Sequence, residues 1–370
     1  MTTRENTMAI LRYEPYDRMP VVHFGFWDEL LLLWKQEGRI EAPLDDYPAV
    51  SAELEKKLGF DFEWISMYSP RRSLFPGFTT EILEEYADGR VKRRNGNGLI
   101  EISRPGAVSI PETVGTSFCG RENWEEYRIR LMPDPRRQRF DKLDALIARQ
   151  DTITHRPVQL EAGSLMGIIR DMLGVEELSY LYADDEELYR EIIDTVAAVQ
   201  YDNVKTALER GLRPDVAHFW EDICFKNGPL VIPRVFDEMV GPHYRKITSL
   251  LKEYGCDIVS LDCDGLIDAL IPTWVGNGVN TMFPIEVGTW RADIRPWRER
   301  YGREIRGVGG MNKNAFAADY AAIDREIERL RPLIELGGYI PCPDHRIPLG
   351  AKWENIQYYC DRFRRVINGE

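Results

Sequence analysis

Polar residues able to do chemistry follow several short apolar runs in the last third of this 370-residue chain. Carboxylate, thiol and imidazole groups gathered in one pocket could move protons or hold a metal ion. In a barrel of parallel strands, the C-terminal strand ends all face one side, where such groups would converge. The pattern therefore predicts an enzyme. The residues at these run ends are Asp262, Cys263, Asp264, Glu286, Cys342, Asp344 and His345.

The stretch HFWEDICFKNGP holds the densest polar cluster at a predicted strand end. Glu221 and Asp222 are adjacent, and if they are buried together their pKa values would separate, as an acid and a base require. Lys226 and Asn227 follow in the same loop and would position Glu221 and bind substrate. The alternative is that these carboxylates cap a helix or lie on the surface.

The segment DCDG places two aspartates around one cysteine. Because side chains alternate along a strand, Asp262 and Asp264 should share one side. Asp262 is then a catalytic candidate, whereas Asp264 and Cys342 are candidate metal ligands, with Glu221 or His345 completing the set. The spacing matches no strong local motif, and one aspartate could instead cap the next helix.

Aromatic and imidazole side chains accompany these strand ends. His345, between two prolines in CPDHRIP, is a candidate acid, base or ligand, although it could instead bond backbone carbonyls. Trp27 and Trp220 could wall a pocket for an apolar or aromatic substrate, although such residues are more often barrel core. His218 and Glu286 complete the expected substrate-binding residues.

Bulk composition is that of an ordinary globular protein, with 44% hydrophobic and 29% charged residues. A net charge of -13 argues against nucleic acid as a partner, since phosphate binding needs a basic surface. Membrane insertion is not expected, because no apolar run approaches the roughly 20 residues that span a bilayer. Neither a signal peptide nor a disulfide-like cysteine spacing is present, which favours the cytoplasm. Oligomeric state is left open.

Eight strand-like runs alternate with helical patterns, which predicts a single α/β domain over residues 1–370, a (β/α)8 TIM barrel. One helix is expected to open at Pro233, and another, over 321–337, to end at Gly337. The eight runs are 17–27, 59–67, 156–165, 213–224, 259–268, 281–288, 303–310 and 337–348.

One segment breaks this alternation after the second run. Residues Thr80 to Pro105 read as antiparallel strands that turn at Asp88-Gly89 and around 95–98. The segment is therefore expected to form a β-hairpin insertion outside the barrel. Both a lid and a decoration are compatible with its sequence.

Taken together, these segments resemble the uroporphyrinogen decarboxylase superfamily over nearly the whole chain. The resemblance is carried by TRENTMAILRYEPYDRMPV, EDICFKNGPLVIP, DCDG, PIEVG and GGYIPCPDHRIP. It implies the (β/α)8 barrel that the decarboxylase shares with a group of corrinoid-dependent methyltransferases. The decarboxylase has an Arg-rich N-terminal loop for a substrate with many carboxylates, whereas the first strand end here, HFGFWDELLLLW, has no arginine.

The methyltransferase branch is the closer match. Its coenzyme M members hold zinc through a His-x-Cys-Gly motif and a distal cysteine, and by position these fall on Asp262–Gly265 and Cys342. Two aspartates thus replace both motif ligands, and a site with more oxygen ligands would suit an ether donor. The resemblance implies O-demethylase-like transfer from a small donor, such as a methoxylated aromatic, to a corrinoid (cobalamin) carried by a partner protein.

In this interpretation Glu221 and Asp222 polarise the donor oxygen, alone or through zinc, and Asp262 orients the substrate or binds metal. Replacing Glu221 with Ala is expected to abolish transfer and leave the fold intact. Two alternatives remain: decarboxylation of a porphyrinogen or smaller acid, and a non-catalytic barrel that binds a ligand.

Overall fold

The computed structural model describes residues 1–104 and 111–369, in which helices alternate with parallel strands. Pro105 and Glu370, the expected ends of the insertion and of the domain, lie outside these residues. The strands are β1 (Val22–His23), β2 (Phe62–Glu63), β3 (Glu81–Glu85), β4 (Val91–Arg94), β5 (Leu99–Ser103), β6 (Glu112–Thr116), β7 (Gln159–Gly163), β8 (Val216–Trp220), β9 (Cys224–Phe225), β10 (Gly228–Pro229), β11 (Ile258–Asp262), β12 (Thr281–Ile285), β13 (Arg306–Met311) and β14 (Tyr339–Pro343). The α-helices are α1 (Thr3–Leu11), α2 (Asp28–Gln36), α3 (Tyr47–Leu58), α4 (Trp124–Arg128), α5 (Phe140–Arg149), α6 (Gly167–Leu173), α7 (Val175–Asp184), α8 (Glu186–Glu209), α9 (Pro233–Met239), α10 (Gly241–Glu253), α11 (Ile271–Gly276), α12 (Val287–Trp290), α13 (Ile294–Tyr301), α14 (Tyr320–Ile334) and α15 (Trp353–Phe363).

Six strands form one parallel sheet in the order β14-β13-β12-β11-β8-β7, and β1 pairs in parallel with β2. Two single parallel bridges join the edges of these sheets: Phe26 pairs with Ile347, and Tyr68 pairs with Leu160. Each of the eight runs identified in the sequence overlaps one of these strands, although β11 begins one residue before its run and β13 ends one residue after its run. The arrangement is a barrel-like α/β fold.

Sequence composition explains why these strands form the centre. Every residue of β7, β11, β12 and β14 is buried. Parallel strands are covered on both faces, so continuous apolar runs such as IVSL suit them better than alternating ones. Polar groups then collect where the runs stop, as Asp262 does at the end of β11.

Helix boundaries follow local capping chemistry. The α9 helix begins at Pro233, as predicted, because the first helical turn needs no N–H donor there. The Asp319 side chain accepts a first-turn N–H (2.8 Å) and caps α14. That helix ends at Ile334 and not at Gly337, because the Gly337 N–H bonds the Ile334 carbonyl (3.0 Å) in a tighter turn. No helix in the described ranges has the length and hydropathy needed to cross a bilayer.

The segment after β2 forms a four-stranded antiparallel sheet in the order β3-β4-β5-β6. Turns occur at the predicted places, with Gly89 at φ +83° and the Asn95 side chain accepting from the Leu99 N–H (3.1 Å). The sheet also includes β6, which lies beyond the predicted end of the insertion. None of the side chains of β6 (ETVGT) is buried, so its sequence lacks the alternation of apolar and polar residues that indicates a strand. The Thr116 hydroxyl donates to the Met172 carbonyl (2.9 Å) and attaches the sheet to α6.

Candidate functional site

A cavity of about 770 Å³ opens at the carboxyl ends of the parallel strands. Concave sites of this size, with apolar walls and a few converging polar groups, are typical ligand sites. The predicted site residues that line it are Trp27, His218, Trp220, Asp222, Asp262, Asp264 and His345. Those that lie outside its lining are Glu221, Lys226, Asn227, Glu286 and Cys342.

Three aspartates form the polar centre of this cavity. Asp222, Asp262 and Asp264 each offer an oxygen within 4.8 Å of the other two. Asp262 and Asp264 share one side, as the alternation along β11 predicted, and the intervening Cys263 is buried. Asp222 joins them because β8 pairs in register with β11, and its carboxylate accepts the Asp264 N–H (3.0 Å).

Burial and mutual repulsion shift the acidity of this cluster. Burial, followed by the charge of Asp264, raises the pKa of Asp222 to about 6. Burial, followed by the charge of Asp222, also raises the pKa of Asp262 well above its usual range. Three carboxylates so close together cannot all stay ionised without a compensating positive charge, which a proton or a cation would supply.

Oxygen atoms in this cluster retain acceptor capacity. Asp262 is 9% exposed and makes no side-chain hydrogen bond to any described residue. The Asp264 Oδ1 atom is buried and likewise has no hydrogen-bond partner among the described residues. Buried acceptors without donors are costly, so these oxygens suit a divalent cation or a protonated ligand group. The donor set consists of oxygens alone, which fits a hard cation better than a thiolate-bound zinc.

His345 lies beside the cluster and is held by aromatic contacts. Its Nε2 atom is 3.1 Å from Asp264 Oδ2. The imidazole stacks on the Trp27 ring, with centroids 5.4 Å apart and planes inclined by 17°, and Phe24 contacts it edge-on at 5.5 Å. A histidine oriented by a carboxylate on one side and a ring on the other is placed to hold or release a proton at Nε2.

His218, on β8, lines the same cavity, but its imidazole has different hydrogen-bond and ring partners. Its Nδ1 atom forms a short hydrogen bond with the Ser260 hydroxyl, and Phe283 packs edge-on against it. Burial, followed by the charge of Arg72, lowers the pKa of His218 to about 3. The imidazole is therefore neutral near pH 7 and is suited to binding substrate as a hydrogen-bond partner rather than as a cation.

Glu221 does not face the cavity, in contrast to the sequence-based expectation. Its fully buried carboxylate caps the start of α6 and ties the end of β8 to the end of β7. Burial raises the pKa of Glu221, while the groups that donate to it oppose this shift. Of this adjacent pair, Asp222 lines the cavity and Glu221 does not. The donors to Glu221 are the backbone N–H groups of Leu165, Met166 and Gly167, each at 2.8 Å, and the hydroxyls of Ser164 and Tyr244.

Cys342, a candidate metal ligand in the sequence, is packed in the core of β14. Its side chain is 0% exposed, and burial raises the pKa of its thiol well above the usual value. A ligand thiol must be deprotonated, and this environment opposes that. The structure does not bring Cys342 into the aspartate cluster, because its side chain is buried in the core and does not line the cavity.

The remaining predicted residues do not line the cavity. Lys226 and Asn227 are exposed in the turn between β9 and β10, away from the cavity lining. Glu286 is buried after β12, where it accepts the Gly265 N–H (2.6 Å) and the Thr289 hydroxyl (2.8 Å). Because Gly265 follows Asp264, Glu286 fixes the loop that presents Asp264.

Arginines form a part of the wall that sequence reasoning missed. Arg72 pairs with Glu161 at 2.8 Å and lies over the Trp220 ring at 4.6 Å. The only sequence signal for this wall is the adjacent pair Arg71-Arg72 after β2. The arginines that line the cavity are Arg71, Arg72, Arg139 and Arg346.

No protein-family model matches this sequence, and no curated protein matches it. A methyltransferase from Methanosarcina mazei has a similar structure, with a TM-score of 0.64 and 15% identity over 98% of this chain and 99% of that chain. A B12-independent methionine synthase from Shewanella sp. W3-18-1 has a TM-score of 0.49 and 11% identity over 95% of this chain and 100% of that chain. At such identity, the likeness to the Methanosarcina mazei protein shows the fold alone.

Proposed function

We propose that this chain is a methyltransferase that moves a methyl group from the oxygen of a small donor to a corrinoid protein. The fold shared with the Methanosarcina mazei methyltransferase supports methyl transfer. The resemblance of the sequence to the corrinoid-dependent branch supports the corrinoid protein as acceptor. We also propose that the eight parallel strands close into a (β/α)8 barrel, which the two bridges at the sheet edges support.

The observation that carries this proposal is a cluster of three aspartates in a cavity that is also lined by aromatic rings. When the bond between a methyl carbon and an ether oxygen breaks, the oxygen keeps the electron pair and needs a proton or a Lewis acid. Asp222, Asp262 and Asp264 lie together in this cavity and, when protonated or bound to a cation, would supply such a group. The rings of Trp27 and Trp220 line the same cavity and would hold a flat aromatic donor.

The three aspartates fit a divalent cation. Their oxygens lie within 4.8 Å of one another, and Asp262 has no hydrogen-bond donor among the described residues. A cation bound there would supply a Lewis acid for the leaving oxygen. The aspartates themselves orient the donor oxygen and exclude competing anions, because their own charge repels them.

His345 supplies a proton route at the same end of the cavity. Its Nε2 atom shares a hydrogen bond with Asp264 Oδ2 (3.1 Å), so a proton held between them can pass to a leaving alkoxide or phenoxide. Stacking on Trp27 fixes the plane of the imidazole, which keeps Nε2 aimed at Asp264. We propose a cytoplasmic location, which the six free cysteines support.

Decarboxylation is a second candidate, and the arginines of the cavity are the observation that favours it. These arginines can bind the carboxylates of a substrate, whereas the first strand end has no arginine that could do so. Only four line the cavity, and Glu161 already neutralises Arg72. A tetrapyrrole with eight carboxylates would leave most of its charge unpaired beside three aspartates, which burial makes unfavourable. A smaller acid is the better ligand for this wall.

The deciding experiment supplies the purified protein with a reduced corrinoid protein and a panel of methoxylated aromatics. Methylcobalamin formation, followed by its visible absorbance, is the expected result for at least one donor. Porphyrinogen decarboxylation is measured in parallel with the same preparation. Decarboxylation without methyl transfer would overturn the proposal in favour of the second candidate.

A further inference from the structure

A second cavity, of about 950 Å³, adjoins the central one. Strands β5 and β6 of the antiparallel sheet line one side of it, and α6 and the first half of α7 line the other. Asp222, in the loop between β8 and β9, lines both cavities. The second cavity therefore borders the aspartate cluster.

The walls of the second cavity are fixed to each other and to the candidate site. The Thr116 hydroxyl on β6 donates to the Met172 carbonyl on α6 (2.9 Å), which holds the sheet against the helix. The Arg170 side chain, also on α6, donates to the Asp222 carbonyl and lies over the Trp220 ring at 5.2 Å. Because Trp220 lines the central cavity, Arg170 connects the two cavities through direct contacts.

Large apolar side chains of the second cavity remain in contact with solvent. Tyr180 on α7 is 59% exposed, and Phe225 on β9 is 53% exposed. Val114 on β6 and Val175 at the start of α7 are exposed as well, and all four side chains line the cavity. A group of exposed apolar side chains contributed by three separate elements is typical of a surface that binds another protein.

The backbone of β9 keeps the Phe225 ring on the outside. Phe225 pairs with Gly228 of β10, and its carbonyl accepts the Leu266 N–H (2.8 Å). The preceding residue, Cys224, is buried, so the alternation along the strand directs Phe225 outward. The ring is thus presented by a hydrogen-bonded ribbon, and a partner could cover it without a change of the backbone.

The rim of the second cavity is acidic. Glu176 and Glu177, in the first turn of α7, line it and form no ion pair with any residue in the described ranges. Arg170 also lines it, but its guanidinium already pairs with Asp171 (2.9 Å) and donates to the Asp222 carbonyl. Unpaired carboxylates beside apolar side chains favour a partner that presents Lys or Arg around an apolar contact.

We propose that the corrinoid protein docks over the second cavity, with Tyr180 and Phe225 in the contact and basic side chains of the partner facing Glu176 and Glu177. The identity of the partner rests on the proposed function. In methyl transfer the acceptor supplies the electron pair of the new bond to carbon, while the oxygen keeps the electron pair of the broken bond and takes a proton or binds a cation. The acceptor must therefore contact the donor beside the aspartate cluster, which this surface borders through Asp222.

Association without any donor tests the inference, because it does not depend on catalysis. The probe is the corrinoid protein of the methyl-transfer assay, loaded with hydroxocobalamin and titrated in a calorimeter. We expect Phe225→Glu and Tyr180→Glu each to weaken binding by at least about 10-fold, since a charge replaces an apolar side chain that the partner buries. Tyr254→Glu is the control, because Tyr254 is an exposed tyrosine at the end of α10 and does not line the cavity. Wild-type affinity in both variants, or no binding by the wild type, would overturn the inference.

The charge of the rim is tested separately. Replacing both Glu176 and Glu177 with Gln should weaken association at low salt and reduce its dependence on salt, because exposed charges are screened by ions. Glu253→Gln, at an exposed position on α10, is the control and should keep the wild-type salt dependence. An unchanged salt dependence in the double variant would contradict the basic contact.

This inference and the proposed function can fail separately. Association that depends on Phe225, together with no methyl transfer from any donor, would keep the docking surface and remove the methyltransferase function. Methyl transfer together with wild-type affinity for the corrinoid protein in Phe225→Glu and Tyr180→Glu would keep the function and remove the docking surface. A wild-type dimer in sedimentation that Phe225→Glu converts to a monomer would assign the surface to a second copy of this chain and overturn the inference.

Discussion

Glu221 and Asp222 are consecutive in the chain, yet their carboxylates serve different sides of the structure. Glu221 points behind the strand and accepts the N–H groups at the start of α6, whereas Asp222 lines the cavity beside Asp262. Asp222 has φ +46°, so the backbone turns sharply after β8 and presents Asp222 to the substrate side. One residue therefore stabilises the scaffold and its neighbour belongs to the candidate site.

Replacing Glu221 should affect stability first, which corrects the sequence-based expectation of an intact fold. Glu221→Ala leaves three buried N–H groups without an acceptor, so we expect the free energy of unfolding to fall by about 3 kcal/mol or more. Urea unfolding measures this loss. Glu238→Ala, an exposed glutamate on α9, is the matched control and should keep the wild-type midpoint. A wild-type midpoint in Glu221→Ala would refute the structural role.

The raised pKa of Asp222 predicts a pH dependence of stability. Folded Asp222 keeps its proton up to about pH 6, whereas the unfolded chain loses it near 3.8, so the folded state binds more protons in between. Stability should therefore fall as pH rises through this window. Asp222→Asn, which cannot ionise, should gain stability relative to the wild type between pH 4 and pH 7. Urea unfolding of the wild type and Asp222→Asn at pH 4 and pH 7 checks this, with Asp237→Asn, at an exposed position, as the control. A difference in stability between the wild type and Asp222→Asn that is the same at both pH values would contradict the prediction.

A divalent cation should stabilise the folded protein through the aspartate cluster. A cation at 100 times its dissociation constant adds about 2.7 kcal/mol, seen as a higher thermal midpoint. We expect Mg²⁺, Mn²⁺ or Zn²⁺ to produce this shift in the wild type and not in Asp262→Asn, because the Asp262 carboxylate accepts no hydrogen bond from the described part of the chain and is available to a cation. Cys342→Ala should respond to cation as the wild type does. A shift that persists in Asp262→Asn and is lost in Cys342→Ala would instead identify Cys342 as a ligand and exclude Asp262.

His345 should affect the rate of methyl transfer more than donor binding. If it passes a proton to the leaving oxygen, His345→Gln should lower kcat by about 100-fold or more with little change in donor affinity. The control is His243→Gln, since His243 also pairs with a carboxylate, Asp194 Oδ1 (2.8 Å), but lies outside the cavity. Loss of donor binding with unchanged kcat would assign His345 to binding alone.

The alternation of strand-like and helical segments, and of side chains along a strand, predicted part of the fold and part of the candidate site. The eight runs overlap the eight parallel strands, and Asp262 and Asp264 share one side because only one residue separates them. The same rule accounts for Glu221, because His218, Trp220 and Asp222 line the cavity and Glu221, which lies between the last two, points to the opposite side. The expectation for Glu221 rested on its adjacency to Asp222 and did not apply this alternation. Cys342 was misassigned because a short apolar run does not show which of its residues face the core.

The arginines show a different limit. Arg71 and Arg139 are far apart in sequence and belong to segments without periodicity, so no pattern relates them to the strand ends. They enter the cavity because Arg137 fastens one segment to the other. Contacts of this kind depend on tertiary packing and cannot be derived from the spacing of residues along the chain.

The most direct test of the account is single-turnover methyl transfer by wild type and Asp264→Asn. Asp264 Oδ2 is 3.1 Å from His345 Nε2, and an oxygen of Asp264 lies within 4.8 Å of the other two aspartates. Asp264 therefore belongs to both proposed ways of stabilising the leaving oxygen, by a cation and by a proton from His345. With donor bound and a reduced corrinoid protein in excess, we predict methylcobalamin formation by the wild type and a rate at least about 100-fold lower in Asp264→Asn, with unchanged donor affinity and the fold retained. Equal rates in the two proteins would contradict the claim that the acidic centre activates the donor.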